Sequence, residues 1–456
     1  MPKRLVVIGG TAAGLSAATK AKRIIPELEV TVFEKTGYTS YGSCGLPYFV
    51  GGMIESADDL VELDAAALSQ KRGITANVRH EVTSIDRLAK EVHVKSLADS
   101  AAFTAPYDQL VIATGALPVT PNIPGIHAEG VHFLRTVEDG IALRARAEKT
   151  KSAVIIGGGL IGLEVAEQLA LTGCVVTVLE AMPRFLPHLD ESFSGAVRAA
   201  MEQNGVAVHT CAAVNEIAES GGAVRGVRTG GGECFPADLV LVSVGVRPNS
   251  ALAEQAGLET GFRGGIVTNR HMQTSDPSIW ACGDCVQMYH LLTGQPCYVP
   301  AGTTANKQGK VAGVNIAGGH AAFDGVLASQ VTEVFGLVAA STGLSVQQAA
   351  DAGYAPATAA ITKRDRASYY PGGSDNRLML VFDRNSGVLL GAQGIGGKSV
   401  AGRVNVLVTA ITCGMTVEQL GALDLVYAPP VAPVYDPILI AAAQAAKQVK
   451  PSNPPH

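Results

Sequence analysis

Two segments of the chain repeat one plan, and this repeat constrains the fold more strongly than any other feature. LVVIGGTAAGLSAATKA (5 to 21) is an apolar run followed by glycines and a small-residue helical pattern, and AVIIGGGLIGLEVAEQLA (153 to 170) has the same order. A second apolar strand pattern follows each segment, and these patterns end on Glu34 and on Glu180. The first glycine and the acid are 25 residues apart in the first copy and 23 in the second. Strand, glycine turn, helix, strand and acid in this order predict two dinucleotide-binding units.

Each part of this plan has a chemical reason. Glycine lets the backbone approach a pyrophosphate, whose charge rests on the helix N-terminus. The acid at the end of the second strand accepts hydrogen bonds from the adenosine ribose hydroxyls. The second copy has the complete glycine pattern, whereas Thr11 stands at the middle glycine of the first copy. The predicted cofactor contacts are Gly9, Gly10, Ala13, Gly14, Glu34 and Lys35 in the first copy, and Gly157, Gly159, Ile161, Gly162 and Glu180 in the second.

Two dinucleotide units in one chain indicate two cofactors and electron transfer between them. A carboxylate at Glu180 favours the free 2′-hydroxyl of NADH and repels a 2′-phosphate. Arg184, four residues further on, could soften that preference. We therefore predict NADH, with NADPH as a possible alternative.

Composition limits the other classes of protein. A chain of 456 residues is too long for one compact core, so several domains are expected. The net charge of −5 argues against general binding to nucleic acid or to membrane surfaces. We expect a cytoplasmic protein, because the chain shows no secretory leader pattern and no uninterrupted apolar run of spanning length. Eight cysteines are too few for a disulfide scaffold, and the lone pair Cys282 and Cys285 has no partner ligands nearby, so no metal is expected.

Further segments resemble the two-dinucleotide flavoprotein disulfide reductases along almost the whole chain. YDQLVIATGALPVTPNIPG (107 to 125) resembles the crossing from the flavin domain to the nicotinamide domain, and LVLVSVGVRPN (239 to 249) resembles the return crossing. IWACGDC (279 to 285) resembles the flavin-ribityl motif, and VPAGTTANKQGKVAGVNIAGG (299 to 319) resembles the helix that faces the flavin pyrimidine edge. The resemblance implies FAD. It adds the cofactor contacts Ala113, Thr114, Gly115, Gly245, Gly283, Asp284, Thr304 and Ala305, and it places Glu164 near the nicotinamide.

The same resemblance implies an α/β fold of the glutathione reductase type, with two Rossmann-like domains and a C-terminal α+β dimerisation domain. The expected FAD-binding domain is discontinuous, from 1 to 117 and from 244 to 325. The expected NAD(P)H-binding domain runs from 118 to 243, and the dimerisation domain from 326 to 456. A homodimer is expected.

The segment YTSYGSCGLPYFVGG (38 to 52) surrounds Cys44 with glycines, unlike a cysteine buried in an apolar run. Most of the superfamily has two cysteines five residues apart, but Thr39 stands five residues before Cys44, so no such disulfide forms. The chain resembles the single-cysteine branch, which contains coenzyme A-disulfide reductases, persulfide reductases, NADH oxidases and NADH peroxidases. Pro47 suits the first turn of a helix, so Cys44 should lie near its positive end as a thiolate able to attack a disulfide.

Two more features separate the members of this branch. Its oxidases and peroxidases usually have a histidine where this chain has Ala12. ASYYPGG (367 to 373) and VYAPPVAPVYDP (426 to 437) resemble the coenzyme A-disulfide reductase pattern, in which one tyrosine from each motif reaches the cysteine of the partner subunit. Carried over, the catalytic residues are Cys44, Tyr427 and Tyr369, with Tyr370 as the alternative to Tyr369. The tyrosines could instead be ordinary interface residues.

Some features of the sequence favour a coenzyme A substrate and others oppose it. Lys20, Lys22 and Arg23 could hold coenzyme A phosphates or form a solvated helix face, while ESADDLVELD (55 to 64) is strongly acidic. Ser43, a further predicted cofactor contact, replaces the asparagine common in coenzyme A-disulfide reductases. We predict an FAD-dependent NAD(P)H reductase of a low-molecular-weight disulfide or persulfide, such as coenzyme A disulfide. An NADH oxidase or peroxidase that uses a cysteine sulfenic acid, and a redox-sensing protein with little turnover, are the alternatives.

Overall fold

The first part of the chain forms a parallel sheet. The structure is a computed structural model, and it describes residues 3 to 450. Strand β1 is a continuous apolar run that is buried on both faces, as central strands of parallel sheets are. The elements of this part are β1 (Arg4–Ile8), α1 (Ala12–Ile24), β2 (Glu29–Glu34), α2 (Leu46–Val50), α3 (Ala65–Arg72), β3 (Thr75–Val78), β4 (His80–Asp86), β5 (Glu91–Ser96), β6 (Ala102–Pro106), β7 (Gln109–Ile112) and β8 (Ala116–Pro118).

The next part of the chain builds a second parallel sheet from the second glycine segment. Its elements are β9 (Val131–His132), α4 (Val137–Ala147), β10 (Ser152–Ile156), α5 (Leu160–Leu171), β11 (Val175–Leu179), α6 (Glu191–Gln203), β12 (Ala207–His209), β13 (Val214–Ser220), β14 (Ala223–Thr229), β15 (Cys234–Pro236), β16 (Leu239–Val242), β17 (Val246–Pro248) and α7 (Ala251–Gln255). The strand order is β12-β11-β10-β16-β9.

The chain then returns to the first sheet through β18 (Ile279–Ala281), β19 (Met288–Tyr289), β20 (Pro296–Cys297) and α8 (Gly302–Ile316). The first sheet therefore has the order β18-β7-β1-β2-β3. Helix α8 packs closely on α1 because two of its positions lack side chains. A Cβ atom at Gly309 would lie 2.2 Å from the carbonyl oxygen of Ala13, and one at Gly313 would lie 2.5 Å from that of Ala17.

The C-terminal part is an antiparallel sheet covered by helices. Its elements are β21 (Gln330–Val334), β22 (Leu337–Gly343), α9 (Val346–Asp351), β23 (Pro356–Arg364), β24 (Asp375–Asp383), β25 (Leu389–Gly396), α10 (Ser399–Thr412), α11 (Val417–Gly421) and α12 (Pro437–Ala446), with the strand order β21-β22-β25-β24-β23. This is the mixed α/β architecture that the sequence predicts. From residue 3 to residue 450, no helix is both long enough and apolar enough to cross a membrane.

One apolar core joins three parts of the fold. Phe49 of α2, Leu163 of α5 and Val334 of β21 belong to the same buried cluster. The short helix that follows Cys44 therefore packs on helices α4 and α5, and α5 in turn contacts β21 of the C-terminal sheet.

Candidate active site

The first glycine turn connects β1 to α1 and is shaped by its glycines. Gly9 has a φ of +108°, which residues with a side chain rarely adopt, and a Cβ atom there would lie 2.2 Å from the carbonyl oxygen of Ala113. The Gly10 N–H donates to Glu34 Oε2 at 2.7 Å, and the Thr36 N–H and hydroxyl both donate to Glu34 Oε1 at 2.8 Å. Glu34 is thus oriented at the end of β2, where the ribose of a bound dinucleotide would lie.

The second glycine turn repeats this geometry between β10 and α5. Gly157 has a φ of +110°, and the Gly158 N–H donates to Glu180 Oε2 at 2.7 Å. The Met182 N–H donates to Glu180 Oε1 at 2.8 Å. Among the described residues, no atom lies within 4 Å of the position a Cβ atom would take at Gly159. This open space beside the helix N-terminus suits a pyrophosphate.

The remaining predicted residues of the two turns lie on the first turns of α1 and α5 or nearby. Ala13 is buried, and a Cβ atom at Gly283 would lie 2.8 Å from its side chain, so the ribityl motif touches the first turn directly. Ile161 is partly exposed at the start of α5. Lys35 lies on the surface, where it forms an ion pair with Glu81 at 2.7 Å. Gly14 and Gly162 each let the helix pass close to the carbonyl oxygen of the first glycine, because Cβ atoms would lie 2.0 Å and 2.2 Å from it.

The ribityl motif has a polar environment that fits a flavin. The Gly283 N–H donates to Gln308 Oε1 at 2.8 Å, while the Gln308 side-chain nitrogen is buried and has no hydrogen-bond partner in residues 3 to 450. Arg135 Nη2 donates to Asp284 Oδ2 at 3.0 Å. A buried amide without a partner is costly, so a polar ligand at this position would satisfy it. These residues fit the ribityl chain of FAD.

Sequence reasoning missed Arg135, which stands outside every motif. It follows β9, and its guanidinium would lie 3.1 Å from a Cβ atom at Gly115. Only the fold brings it to Asp284, which is 149 residues away in the chain.

The crossing segments also meet at the flavin side. The Thr114 hydroxyl donates to the carbonyl oxygen of Asn249 at 2.6 Å, and the Asn249 N–H donates to that of Gly115 at 3.0 Å. Gly115 and Gly245 both have positive φ values. Ala113 is buried at the end of β7, and Thr304 and Ala305 are buried in the first turn of α8.

Cys44 is an exposed free thiol in a 3-10 turn formed by Ser43, Cys44 and Gly45. Helix α2 follows at once with Pro47 in its first turn, as the sequence predicts. Arg144 of α4 secures this segment: its Nη1 donates to the carbonyl oxygens of Ile54 and Glu55 at 3.1 Å and 2.8 Å.

Thr39, at the position where other members of the superfamily have their first cysteine, is buried. Its hydroxyl donates to the carbonyl oxygen of Leu63 at 2.9 Å. Cys282 and Cys285 are buried thiols, and burial raises the pKa of Cys285 to about 11, which opposes reactivity.

Glu164 lies between the second parallel sheet and the C-terminal sheet. Thr332 of β21 donates its hydroxyl to Glu164 Oε1 at 3.1 Å. Burial raises the pKa of Glu164 to about 7. Burial also raises the pKa of Tyr48 in α2, and the negative charge of Glu164 adds to that increase. Glu164 can therefore hold a proton near the helix that follows Cys44.

The two tyrosines from distant motifs meet in the structure. The hydroxyls of Tyr369 and Tyr427 are 3.3 Å apart, and the hydrogen bond to Tyr369 raises the pKa of Tyr427. Tyr369 is 75% exposed and Tyr427 is 47% exposed within the single chain. The pairing favours Tyr369 over Tyr370 as the companion of Tyr427, although the catalytic role of both stays a prediction.

A cleft of about 580 Å³ opens beside the Cys44 turn, and we call it the basic cleft. Its wall includes Tyr41 and Gly42, just before Cys44, and the acid Glu62. Four cationic side chains from three helices line it: Lys20, Arg23, Arg72 and Lys310. Lys22 does not line it, because its Nζ donates to the carbonyl oxygen of Leu28 at 2.7 Å.

Family comparison identifies the class of protein. Residues 3–321 match the pyridine nucleotide-disulphide oxidoreductase family, and residues 329–437 match the dimerisation domain of that family. The chain belongs to this family. It is an FAD-dependent oxidoreductase that uses NAD(P)H, as the sequence predicts.

The chain is similar over nearly its whole length to individual members of this family. The chain is 38% identical to the NAD(P)H coenzyme A polysulfide/persulfide reductase of Pyrococcus horikoshii over 447 residues, which cover 97% of this chain and 98% of the relative. It is 36% identical to an NADH oxidase of Methanocaldococcus jannaschii over 450 residues, 98% of this chain and 99% of the relative. The structure of a NAD-dependent persulfide reductase from A. fulgidus has a TM-score of 0.94 and 42% identity, and the match covers 97% of this chain and 83% of that one.

These comparisons confirm the predicted family, fold class and cofactors. The domain boundaries and the roles of single residues stay predictions.

Proposed function

We propose that this enzyme reduces a disulfide or persulfide of coenzyme A at Cys44, with electrons from NAD(P)H. The observation that carries the proposal is the basic cleft, which is lined by four cations and by Tyr41 and Gly42, just before Cys44. A thiol that carries several phosphates would bind there with its sulfur directed at the cysteine. Leu15, Leu63 and Leu68 supply apolar wall for an uncharged linker.

The chemistry proceeds in two steps at Cys44. Its thiolate attacks one sulfur of the disulfide, so a Cys44–sulfur bond forms, the substrate S–S bond breaks, and one thiol leaves. Bound FAD supplies the two electrons that NAD(P)H provides. The second thiol then leaves as the mixed disulfide is reduced, and Cys44 returns to its thiolate. Two electrons and two protons thus convert one disulfide into two thiols.

Tyr427 of the partner subunit would protonate the leaving thiolate. This assignment is supported by the exposure of the tyrosine pair on the part of the chain that matches a dimerisation domain. Exposed apolar neighbours, Val426, Val431 and Val434, suit burial in a homodimer. A phenol with a raised pKa keeps its proton at neutral pH and can therefore donate a hydrogen bond to the departing thiolate, while solvent replaces the proton that the thiol finally takes.

The test is anaerobic NADH oxidation by the purified holoenzyme with and without coenzyme A disulfide. We expect turnover that requires the disulfide, and we expect Cys44→Ser to keep FAD and its reduction by NADH but to lose disulfide turnover. Full disulfide turnover by Cys44→Ser would contradict the mechanism.

A matched pair of variants tests the cleft. Arg72→Gln should lower kcat/KM for coenzyme A disulfide by roughly tenfold, because a charge-assisted bond to phosphate is worth about 1.5–3 kcal/mol. Lys22→Gln removes a cation of the same helix, α1, that does not line the cleft. This change should leave kcat/KM unchanged. Equal effects of the two changes would place the substrate elsewhere.

An NADH oxidase or peroxidase is the second candidate, favoured by the similarity to the M. jannaschii NADH oxidase. Ala12 lies in the wall of the basic cleft where the oxidases usually have a histidine. Turnover that starts only when air or peroxide is admitted would support this alternative.

A further inference from the structure

A buried ion pair lies beneath the two segments that carry the tyrosines. Arg403 of α10 and Asp436 have side chains that are 8% and 10% exposed. The Arg403 Nη2 donates to Asp436 Oδ2 at 2.8 Å, and its Nε is 3.1 Å and 3.2 Å from the two carboxylate oxygens. The Asp436 carboxylate also accepts the Ile438 N–H at Oδ1, at 2.9 Å, and so caps α12.

The guanidinium of Arg403 joins both segments. Its Nη2 also donates to the carbonyl oxygen of Asp365 at 3.0 Å. Asp365 begins the loop that carries Tyr369, and the Ser374 N–H closes that loop by donating to Asp365 Oδ1 at 3.0 Å. Asp436 ends the segment that carries Tyr427.

Apart from the contacts of Arg403, two hydrogen bonds within residues 3 to 450 connect the two segments to each other. The Ala367 N–H donates to the carbonyl oxygen of Pro429 at 3.3 Å, and the tyrosine hydroxyls meet at 3.3 Å. Val426 and Tyr435 are exposed, and Ala432 is the one apolar side chain buried among the described residues between them. A buried ion pair gives little net stability over apolar side chains, but its geometry can specify one arrangement. The planar fork of arginine suits this task better than lysine.

We infer that Arg403 is a positioning residue for thiol release: its guanidinium holds the segments of Tyr369 and Tyr427 together, so that the tyrosine pair reaches the partner's active site as one unit. The role in thiol release rests on the proposed function. The positioning of the pair does not.

The test uses Arg403→Lys in the holoenzyme, with Arg198→Lys as the matched control. Arg198 also forms an ion pair with a carboxylate, Glu202, but on the exposed face of α6. In Arg403→Lys, reduction of FAD by NADH should be unchanged while thiol release slows by roughly tenfold. Combining Arg403→Lys with Tyr427→Phe should add little to either change alone, because both remove the same tyrosine contact.

A second readout does not depend on the substrate. NMR of ring-labelled tyrosine, with the Tyr427 signal assigned through Tyr427→Phe, measures the pKa of Tyr427. That pKa should fall toward the ordinary value in Arg403→Lys, because the bond to Tyr369 that raises it is lost. The control Arg198→Lys should leave it unchanged. If this shift appears but coenzyme A disulfide is no substrate, the positioning stands and the proposed function fails.

The inference is overturned if Arg403→Lys has the same rate of thiol release and the same pKa of Tyr427 as the unmodified enzyme. Additive losses in the double variant would also overturn it, because they would show a general structural role. Should Arg403→Lys fail to retain FAD and fold, Asp436→Asn, which keeps the size of the side chain, is measured in the same way with the same expected results.

Discussion

The two glycine turns have nearly the same geometry but different surroundings. Gly9 and Gly157 have φ values of +108° and +110°, and in both turns the next glycine donates to a carboxylate at 2.7 Å. Glu34 is only 8% exposed and also accepts a hydroxyl bond from Thr36. Glu180 is more exposed and accepts its second bond from a backbone N–H alone.

This difference shows how one turn can serve two kinds of ligand. The second position is closed in both turns, because a Cβ atom at Gly10 would lie 3.1 Å from Glu34 and one at Gly158 would lie 2.3 Å from Phe185. The turns differ one residue further on, where the flavin turn is covered by the side chain of Thr11. The nicotinamide turn is open at Gly159. We expect the covered turn to retain its cofactor through many turnovers and the open turn to exchange NAD(P)H in each one.

The largest effect should come from a methyl group at the first glycine of each turn. Gly9→Ala and Gly157→Ala would bring a Cβ atom within 2.2 Å and 2.3 Å of a backbone oxygen. Gly9→Ala should lose FAD on desalting and with it all activity. Gly157→Ala should keep FAD and raise the KM for NADH by about ten- to a hundredfold, from a strain of about 1–3 kcal/mol. Flavin absorbance and steady-state kinetics measure both, and full FAD retention by Gly9→Ala would refute the comparison.

Glu180→Gln should have the next largest effect. The amide cannot accept hydrogen bonds from both Gly158 and Met182, and it removes the charge that repels a 2′-phosphate. The ratio of kcat/KM for NADH to that for NADPH should fall by roughly tenfold, in line with the loss of a charged hydrogen bond. FAD content should not change. An unaltered ratio would mean that Glu180 does not set the choice of nicotinamide.

The two turns also differ seven residues after the first glycine. Ser16 stands there in the flavin turn and Glu164 in the nicotinamide turn. Ser16 donates to Asn306 Oδ1 at 2.7 Å, whereas burial raises the pKa of Glu164 from 4.5 to about 7. Below pH 4.5 the carboxyl is neutral in both the folded and the unfolded chain. Between pH 4.5 and 7 only the unfolded chain ionises, so the free energy of unfolding falls by about 3 kcal/mol, and above pH 7 the loss is complete.

Urea unfolding at pH 5 and pH 8 tests this dependence. Glu164→Gln should remove most of the decrease in stability between the two pH values, and Glu202→Gln, at an exposed position, should leave it intact. Parallel pH dependence in Glu164→Gln and the unmodified protein would contradict the raised pKa.

The smallest effects should come from exchanging the middle residues. Thr11 and Gly159 each stand just before a helix. Their φ values are −113° and −82°, which residues with side chains adopt freely. Thr11→Gly should keep FAD. Gly159→Thr should fold normally and raise the KM for NADH only a few-fold, because the side chain enters open space that the pyrophosphate uses. A clear loss of thermal stability in Gly159→Thr would mean that the space is not open.

The basic cleft shows where sequence reasoning stops. Lys20 and Arg23 lie one helical turn apart, so the sequence could suggest them together. Lys22 lies between them in the sequence, but it points to Leu28, and only the structure separates it from the other two. Arg72 and Lys310 complete the cleft from helices that are far apart in the chain, and no local pattern marks them.

The sequence by itself determined the two turns, the acids that end their strands, and the exposed turn around Cys44. These features depend on spacing within about 30 residues, where strand and helix periods fix the geometry. The meeting of Tyr369 with Tyr427, of Arg135 with Asp284, and of Glu164 with Thr332 was decided by the tertiary structure alone. Their separations of 58 to 168 residues are bridged only when the sheets pack, because such contacts depend on the whole core rather than on neighbours in the chain.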